Sequence, residues 1–379
     1  YKRQEPRHIW SRSWENIWGI AMNNLWWKEI SGARRIIDSI FKAVENEKNV
    51  ILKFSPSTPW VDDFREVLSE KIEIELTEQE LKQINYSEAD VGDYMLQNFC
   101  REAVRVYWRP PETVGAFLGK CEDLTLNDKI LWVNVQEKKQ LEDWLSFISE
   151  YDKASGKESR KAVFLLEIDD SVENLPEKKY FEVYNIGDEI PEYVRYTYAS
   201  VLASEADIKD SLVMYLSQLA TSCCNDIELI PLCINEQRRF MENPYDTMVQ
   251  LVADNCRSDG SDFVLAEDRS RIDYFVWQAQ LKILFPSIER YRVYLIQKMS
   301  KQIKDKLQFP YKTNFGDLDS PEELELKDLT YAIGNGRLLM DDSKEYNRLE
   351  RFREYRNSLA HGKPLSFEDV KFLLGNVMG

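Results

Sequence analysis

The sequence predicts an α/β fold followed by an all-α fold in one chain. Two observations carry that expectation. Short apolar runs, several of them continuous, alternate with helix-patterned segments over the first two-thirds of the chain. From Arg271 onward apolar residues recur only every three or four positions, the spacing of a helix with one buried face.

Trp10, Trp14 and Trp18 recur at four-residue spacing ahead of Trp26 and Trp27, a stripe that suits either helix core packing or an interface with another protein. Ala33 to Val44, Val61 to Glu70 and Lys138 to Tyr151 are helix-patterned. Asn49 to Phe54, Ile130 to Val135, Ala162 to Leu166 and Tyr180 to Ile186 read as strands. Several are apolar without alternation, which belongs in a sheet covered on both faces, so a mainly parallel α/β domain is expected over 1–188. Glu189 to Cys224 and Asn243 to Cys256 look helical and define an expected helical subdomain over 189–266, lid-like or winged-helix-like. The polar, acidic stretch Asp254 to Asp268 marks its end.

Residues 267–379 form the expected all-α domain. A long helical stretch from Arg271 to Lys306 should break at Pro286, since proline lacks the N–H that a helix interior needs. A loop from Pro310 to Pro321 and a short helix from Leu324 to Ile333 follow. The last helix has apolar residues at Tyr346, Leu349, Phe352 and Leu359, a capping-box start at Asp342 and Glu345, and a stop at Gly362 and Pro364.

Composition narrows the function. At 379 residues and 43% hydrophobic, the chain can bury cores in two or three domains. No apolar run approaches the ~18 residues of a membrane span, and no charged-then-apolar leader opens the sequence, so a cytoplasmic protein without membrane contact is expected. Cys100, Cys121, Cys223, Cys224, Cys233 and Cys256 include no C-x-x-C pair and no histidine at ligand spacing, so core thiols are expected, with no metal site and no cofactor. A net charge of −16 argues against general nucleic-acid affinity. The local balance differs, at +3 over Arg348 to Lys363 and +5 over Arg271 to Lys306. Phosphate contact is therefore expected in the C-terminal part, although a solvated helix face gives similar counts. The acidic N-terminal part suits a protein partner.

One of only two histidines closes the segment Arg356-Asn357-Ser358-Leu359-Ala360-His361-Gly362. Arg353, Asn357 and His361 share a helical face, whereas Arg356 lies about 140° round from His361 at 3.6 residues per turn. The two converge only if the helix stops near His361, the Arg side chain bends round, or a second copy contributes. Histidine titrates near neutrality and suits acid–base work, while arginine grips phosphate through paired N–H donors. The alternative is structural: His361 compensates the helix dipole, and Arg356 pairs with Glu354 or another surface acid.

This segment resembles the Arg-x4-6-His signature of the HEPN superfamily, small helical domains that are often metal-independent endoribonucleases. The resemblance implies Arg356 and His361 as the catalytic pair, Asn357 as the polar residue after the arginine, and an active site built across a homodimer through the C-terminal domain. RNA would be the substrate, with Arg353, Lys363 and Arg351 as further phosphate contacts.

A second resemblance lies in the α/β part. The strand Val50 to Phe54 runs into Ser55-Pro56-Ser57-Thr58-Pro59 and then a helix, the position of a phosphate-binding loop. The strand Ala162 to Leu166 runs into Glu167, Asp169 and Asp170, the position of metal-holding acids. The loop lacks the glycines and lysine of a P-loop, and its prolines remove backbone donors. The layout resembles a degenerate AAA+ or STAND-type NTPase domain, with a plain α/β fold as the alternative. Together the two resemblances imply an RNase effector under the control of an N-terminal module, as in bacterial toxin or phage-defence proteins; a non-catalytic scaffold that binds partners is the second expectation.

Overall fold

The computed structural model describes residues 22–84, 90–121, 126–156, 161–169, 181–187, 190–265, 267–313 and 316–376, with side chains from residue 25 onward. His8, Trp10, Trp14, Trp18 and Asp170 lie outside the described residues. The chain divides into two compact units, Tyr1–Val194 and Arg195–Gly379.

The first unit is an α/β layer structure. Its elements are α1 (Met22–Glu29), α2 (Ser31–Glu45), β1 (Asn49–Phe54), α3 (Val61–Glu75), β2 (Glu80–Ile84), α4 (Val91–Phe99), α5 (Glu102–Arg105), α6 (Val114–Lys120), β3 (Lys129–Val135), α7 (Lys138–Ala154), β4 (Val163–Asp169) and β5 (Phe181–Ile186). The five strands form one parallel sheet in the order β2-β3-β4-β1-β5. Successive side chains point to opposite faces. Ile51, Leu131, Val133, Phe164 and Leu166 share one buried face with residues of α4, α6 and α7. Val50, Leu52, Trp132 and Leu165 on the other face are equally buried. That double cover explains the uninterrupted apolar runs of β1, β3 and β4.

β2 escaped the sequence reading for the same reason in reverse. It is an edge strand paired only with β3, and its sequence Glu-Leu-Lys-Gln-Ile leaves only Ile84 buried. Asn49 fixes the start of the sheet. Its amide donates to Asp152 at 2.8 Å, and its carbonyl oxygen accepts the Phe164 N–H at 3.0 Å, all at 4% exposure.

The second unit is helical: α8 (Glu192–Glu205, which crosses the division), α9 (Asp210–Cys223), α10 (Leu229–Asn235), α11 (Gln237–Glu242), α12 (Pro244–Asp254), α13 (Arg269–Lys298), α14 (Ser300–Lys306), α15 (Leu326–Gly334), α16 (Ser343–Ala360) and α17 (Phe367–Gly375). α13 is its axis, with α9, α12, α16 and α17 packed against it. Helices of 195–266 and of 267–376 thus form one packed unit. The polar stretch around Arg257 lies inside it: Arg257 is buried between Asp226 and Glu228, and Ser258 donates to Glu228 through both its N–H and its hydroxyl.

Three local expectations are corrected. α13 runs unbroken through Pro286, because the proline sits on the exposed side of the helix and buried Leu284 and Ile288 hold the helix in place. Within the expected loop, Tyr311–Thr313 and Gly316–Leu318 pair as a small antiparallel hairpin, β6 and β7. Two cysteines, Cys121 and Cys256, are only half-buried; the other four are buried. Among the described residues no helix is long and apolar enough to cross a membrane.

Asn49→Ala removes both of its hydrogen bonds and strands the buried Phe164 N–H. A loss of about 1–3 kcal/mol in chemical unfolding is expected; a change within error would mean that the start of the sheet is held by packing alone.

Candidate functional site

The Arg356–His361 segment ends α16, and the ending has three supports. Asp342 caps the helix start by accepting the Lys344 N–H at 2.9 Å. Glu345 does not complete the expected capping box; its carboxylate accepts from the Tyr291 hydroxyl at 3.0 Å and from Lys298 at 3.2 Å, tying α16 to α13. The buried stripe is Leu349, Phe352, Tyr355 and Leu359, with Tyr346 only half-buried.

At the other end the helix stops at Ala360 and His361 is its C-cap. Gly362 takes φ +72, a left-handed turn open to glycine at little cost. Its N–H donates to Leu359 at 3.2 Å, and the Lys363 N–H donates to Ser358 at 2.9 Å. These two bonds make a Schellman stop that satisfies the last carbonyls. The Leu359 carbonyl also accepts the Trp277 indole N–H at 2.7 Å.

Gln280 then holds the chain beyond the turn. Its carbonyl oxygen accepts the Leu365 N–H at 2.6 Å and its amide donates to the Leu365 carbonyl at 3.0 Å, with the residue 1% exposed. The segment from Leu359 to Leu365 is thus pinned to α13 at both ends. Leu359 is buried, while His361 and Lys363 on this segment and Asn357 just ahead of it are exposed.

The arginines of α16 have separate partners. Arg356 Nη2 pairs with Glu325 Oε2 at 2.6 Å, and the two side chains are 30% and 39% exposed. Glu325 is the N-cap of α15, where it forms a reciprocal capping box with Asp328. Arg353 lies 3.9 Å from Glu354. Arg351 stacks on Phe372, 3.5 Å from the ring centre, donates to the Tyr355 hydroxyl at 2.8 Å and reaches Asp369 at 3.3 Å. It therefore braces α16 against α17. Of the residues expected from sequence, Asn357, His361 and Lys363 are exposed at the helix end, Arg356 is half-buried and held by Glu325, and Arg351 is committed to packing.

Tyr355 and Asp369 respond to that bracing. Burial and then the neighbouring Asp369 carboxylate push the Tyr355 hydroxyl up to about 12. Burial alone would raise the Asp369 carboxyl, but hydrogen bonds from Ser366, Tyr355 and Arg351 outweigh it and hold the group below its ordinary value.

Sequence reasoning missed Glu325, Trp277 and Gln280. Only Gln280 left a signal: a polar residue placed where Val276, Ala279 and Leu284 mark the buried stripe of α13. Glu325 is distant in sequence and joins the site only through the packing of α15 on α16.

In the first unit the loop after β1 is closed by its own side chains. Thr58 Oγ1 donates to the Ile186 carbonyl at 2.6 Å and accepts the Ser55 N–H at 3.1 Å; the Ser57 hydroxyl donates to the Gly187 carbonyl at 3.2 Å. A Cβ at Gly187 would overlap the Thr58 hydroxyl, so the loop and the end of β5 are in close contact. Trp60 enters α3 with a left-handed backbone, φ 45 and ψ 60, and Trp27 donates its indole N–H to both the Pro59 and Trp60 carbonyls. On β4, Glu167 is 6% exposed and engaged by Arg65 of α3 and by the Trp132 indole at 3.0 Å. Asp169 is exposed. Among the described residues no group of three or more His, Cys, Asp or Glu side chains is placed to hold a metal ion.

No family model matches the chain, and no curated protein does. One similar solved structure is that of C. elegans PCH-2, 11% identical, with a TM-score of 0.28; the match covers 60% of this chain and 65% of that one. At that TM-score the likeness carries no argument about this chain.

Two predictions follow from the geometry of the two sites. Asp369, held below its ordinary value when folded, stabilises the protein above the unfolded carboxylate range near ~4, and that stability is lost as pH falls through the folded value. Asp369→Asn should therefore flatten the decline of melting temperature below about pH 4; parallel declines in the two proteins would show that the network adds nothing to stability. Because the β1–α3 loop is filled by Ser55, Ser57 and Thr58, millimolar ATP with Mg²⁺ should leave the melting temperature unchanged. A rise of several degrees would show that the loop opens to take nucleotide.

Proposed function

We propose that the chain is a metal-independent endoribonuclease effector, with Arg356 and His361 as its working pair. The observation that carries this reading is the helix end itself: an arginine and an exposed histidine on one rigid, glycine-terminated stop, pinned by Trp277 and Gln280. A site that holds its groups on packed elements loses little in ordering them on substrate.

In this reading His361 moves the proton of the attacking 2′-hydroxyl or of the leaving 5′-oxygen, and Arg356 stabilises the charge that develops on the phosphorus oxygens. Asn357 orients the imidazole or the substrate, and Arg353 and Lys363 extend the contact along the RNA backbone. One chain offers one such histidine among its described residues, so a second copy docked through the helical unit supplies the other half of the acid–base pair. The helical unit is proposed to be HEPN-like.

The first unit is proposed to be a degenerate AAA+-like or STAND-like module that controls the effector. Its support is the placement of the β1–α3 loop beside the acidic end of β4, where Phe54 pairs with Asp169 at the carboxyl edge of a parallel sheet. The loop is filled by its own side chains and Glu167 is ion-paired, which suits a domain that has lost nucleotide hydrolysis and binds protein partners. Bacterial toxin or phage-defence systems are the proposed setting.

A non-catalytic, dimerising scaffold is the second reading, favoured by the neutralisation of Arg356 by Glu325. Cleavage of a broad RNA pool in EDTA separates the two. His361→Ala should lose about 10²–10⁴-fold in rate and Arg356→Ala at least ~10²-fold. Undiminished cleavage by His361→Ala would sink the enzymatic reading, and no cleavage by wild type with dimerisation intact would favour the scaffold.

A further inference from the structure

Resting on the reading of Arg356 as a phosphate-binding cation, we propose that Glu325 gates it: the carboxylate occupies the anion position of Arg356 in the resting chain, and RNA phosphate binds there by displacing it. The pair is close, at 2.6 Å, and both side chains are about a third exposed, so an incoming anion can reach the guanidinium.

Glu325 is not a loose surface acid. Arg292 of α13 donates to the carbonyls of Glu322 at 2.8 Å and Leu324 at 3.0 Å, fixing the backbone just ahead of it. The Glu325 N–H donates to Asp328 Oδ2 at 3.0 Å, and its side chain accepts from the Asp328 N–H in return. Exposed ion pairs are weak mainly because two long side chains must be ordered and water screens them. Here one partner is ordered in advance by a helix cap, which favours the pair.

A guanidinium binds carboxylate and phosphate with the same planar set of N–H donors, so the two anions compete for one face. A single phosphate offers little more than the carboxylate it replaces. A polynucleotide offers several phosphates at once and gains from counterion release, so an RNA strand contacting Arg353 and Lys363 as well can displace Glu325. Release of Arg356 leaves the capping bonds of α15 intact, so opening the gate does not require that helix to unfold.

The test is binding of a fluorescent single-stranded RNA to the full chain and its variants. Glu325→Gln removes the charge and keeps an oxygen for the cap; Glu322→Gln removes the same charge from an exposed position three residues away. Glu325→Gln should bind at least ~3-fold tighter than wild type, Glu322→Gln within ~2-fold of it, and the gain should vanish in an Arg356→Ala background. Asp328→Ala removes the acceptor of the Glu325 N–H and opens the capping box but leaves the carboxylate facing Arg356, so it should share any fall in melting temperature without the gain in affinity. If Glu325→Gln binds no tighter than Glu322→Gln while Arg356→Ala still weakens binding, the gate is overturned and the phosphate site stands. If Arg356→Ala leaves RNA binding unchanged in both backgrounds, the phosphate site falls and the gate with it.

Discussion

The amide of Gln280 lies in the buried middle of α13 and spends its carbonyl oxygen and one N–H on the backbone of Leu365. A buried amide without partners is costly, and here the partners belong to a segment that begins only after α16 has ended. The chain leaving His361 must therefore fold back to α13. Glycine at position 362 makes the reversal, the Schellman bonds close it, and Trp277 donates a second hydrogen bond to the Leu359 carbonyl. The orientation of the Arg356–His361 end follows from this satisfaction of polar groups more than from anything in the segment itself.

The same accounting shapes the first unit. A loop at the carboxyl end of β1 could present backbone donors to a ligand, as the parallel sheet and its order invite. Instead Thr58 and Ser57 turn their hydroxyls onto the carbonyls of Ile186 and Gly187, and two prolines remove donors. Glu167 at the neighbouring strand end is neutralised by Arg65. The hydroxyls of Ser57 and Thr58 and the Glu167 carboxylate at this edge of the sheet are thus used internally.

Charge adds a further distinction. Arg348 to Lys363 is basic in an acidic chain, yet its arginines do unlike things. Arg348 stacks over Tyr291 and Phe352, Arg351 braces α17 through Phe372 and Asp369, and Arg353 lies near Glu354. Arg356 pairs with an acid from another helix. Guanidinium groups that stack on rings and donate to carboxylates contribute to packing, and a local excess of positive charge does not say which of them remains available to phosphate.

By itself the sequence determined the parts governed by local rules. Apolar runs with no alternation marked β1, β3 and β4 as strands of a covered parallel sheet, a more mixed run marked β5, and three-to-four spacing marked α13 and α16. The glycine at position 362 and the histidine before it marked a helix end carrying a titratable group. The tertiary structure decided the rest: the edge strand β2, whose single neighbour asks for no apolar pattern; the continuity of α13 through Pro286, held by packing around an exposed proline; and the partner of Arg356. Glu325 lies more than thirty residues away and meets Arg356 only because α15 packs on α16. Long-range pairs of this kind leave no periodic trace in a sequence, since their energy depends on where two helices cross and not on the residues beside either one.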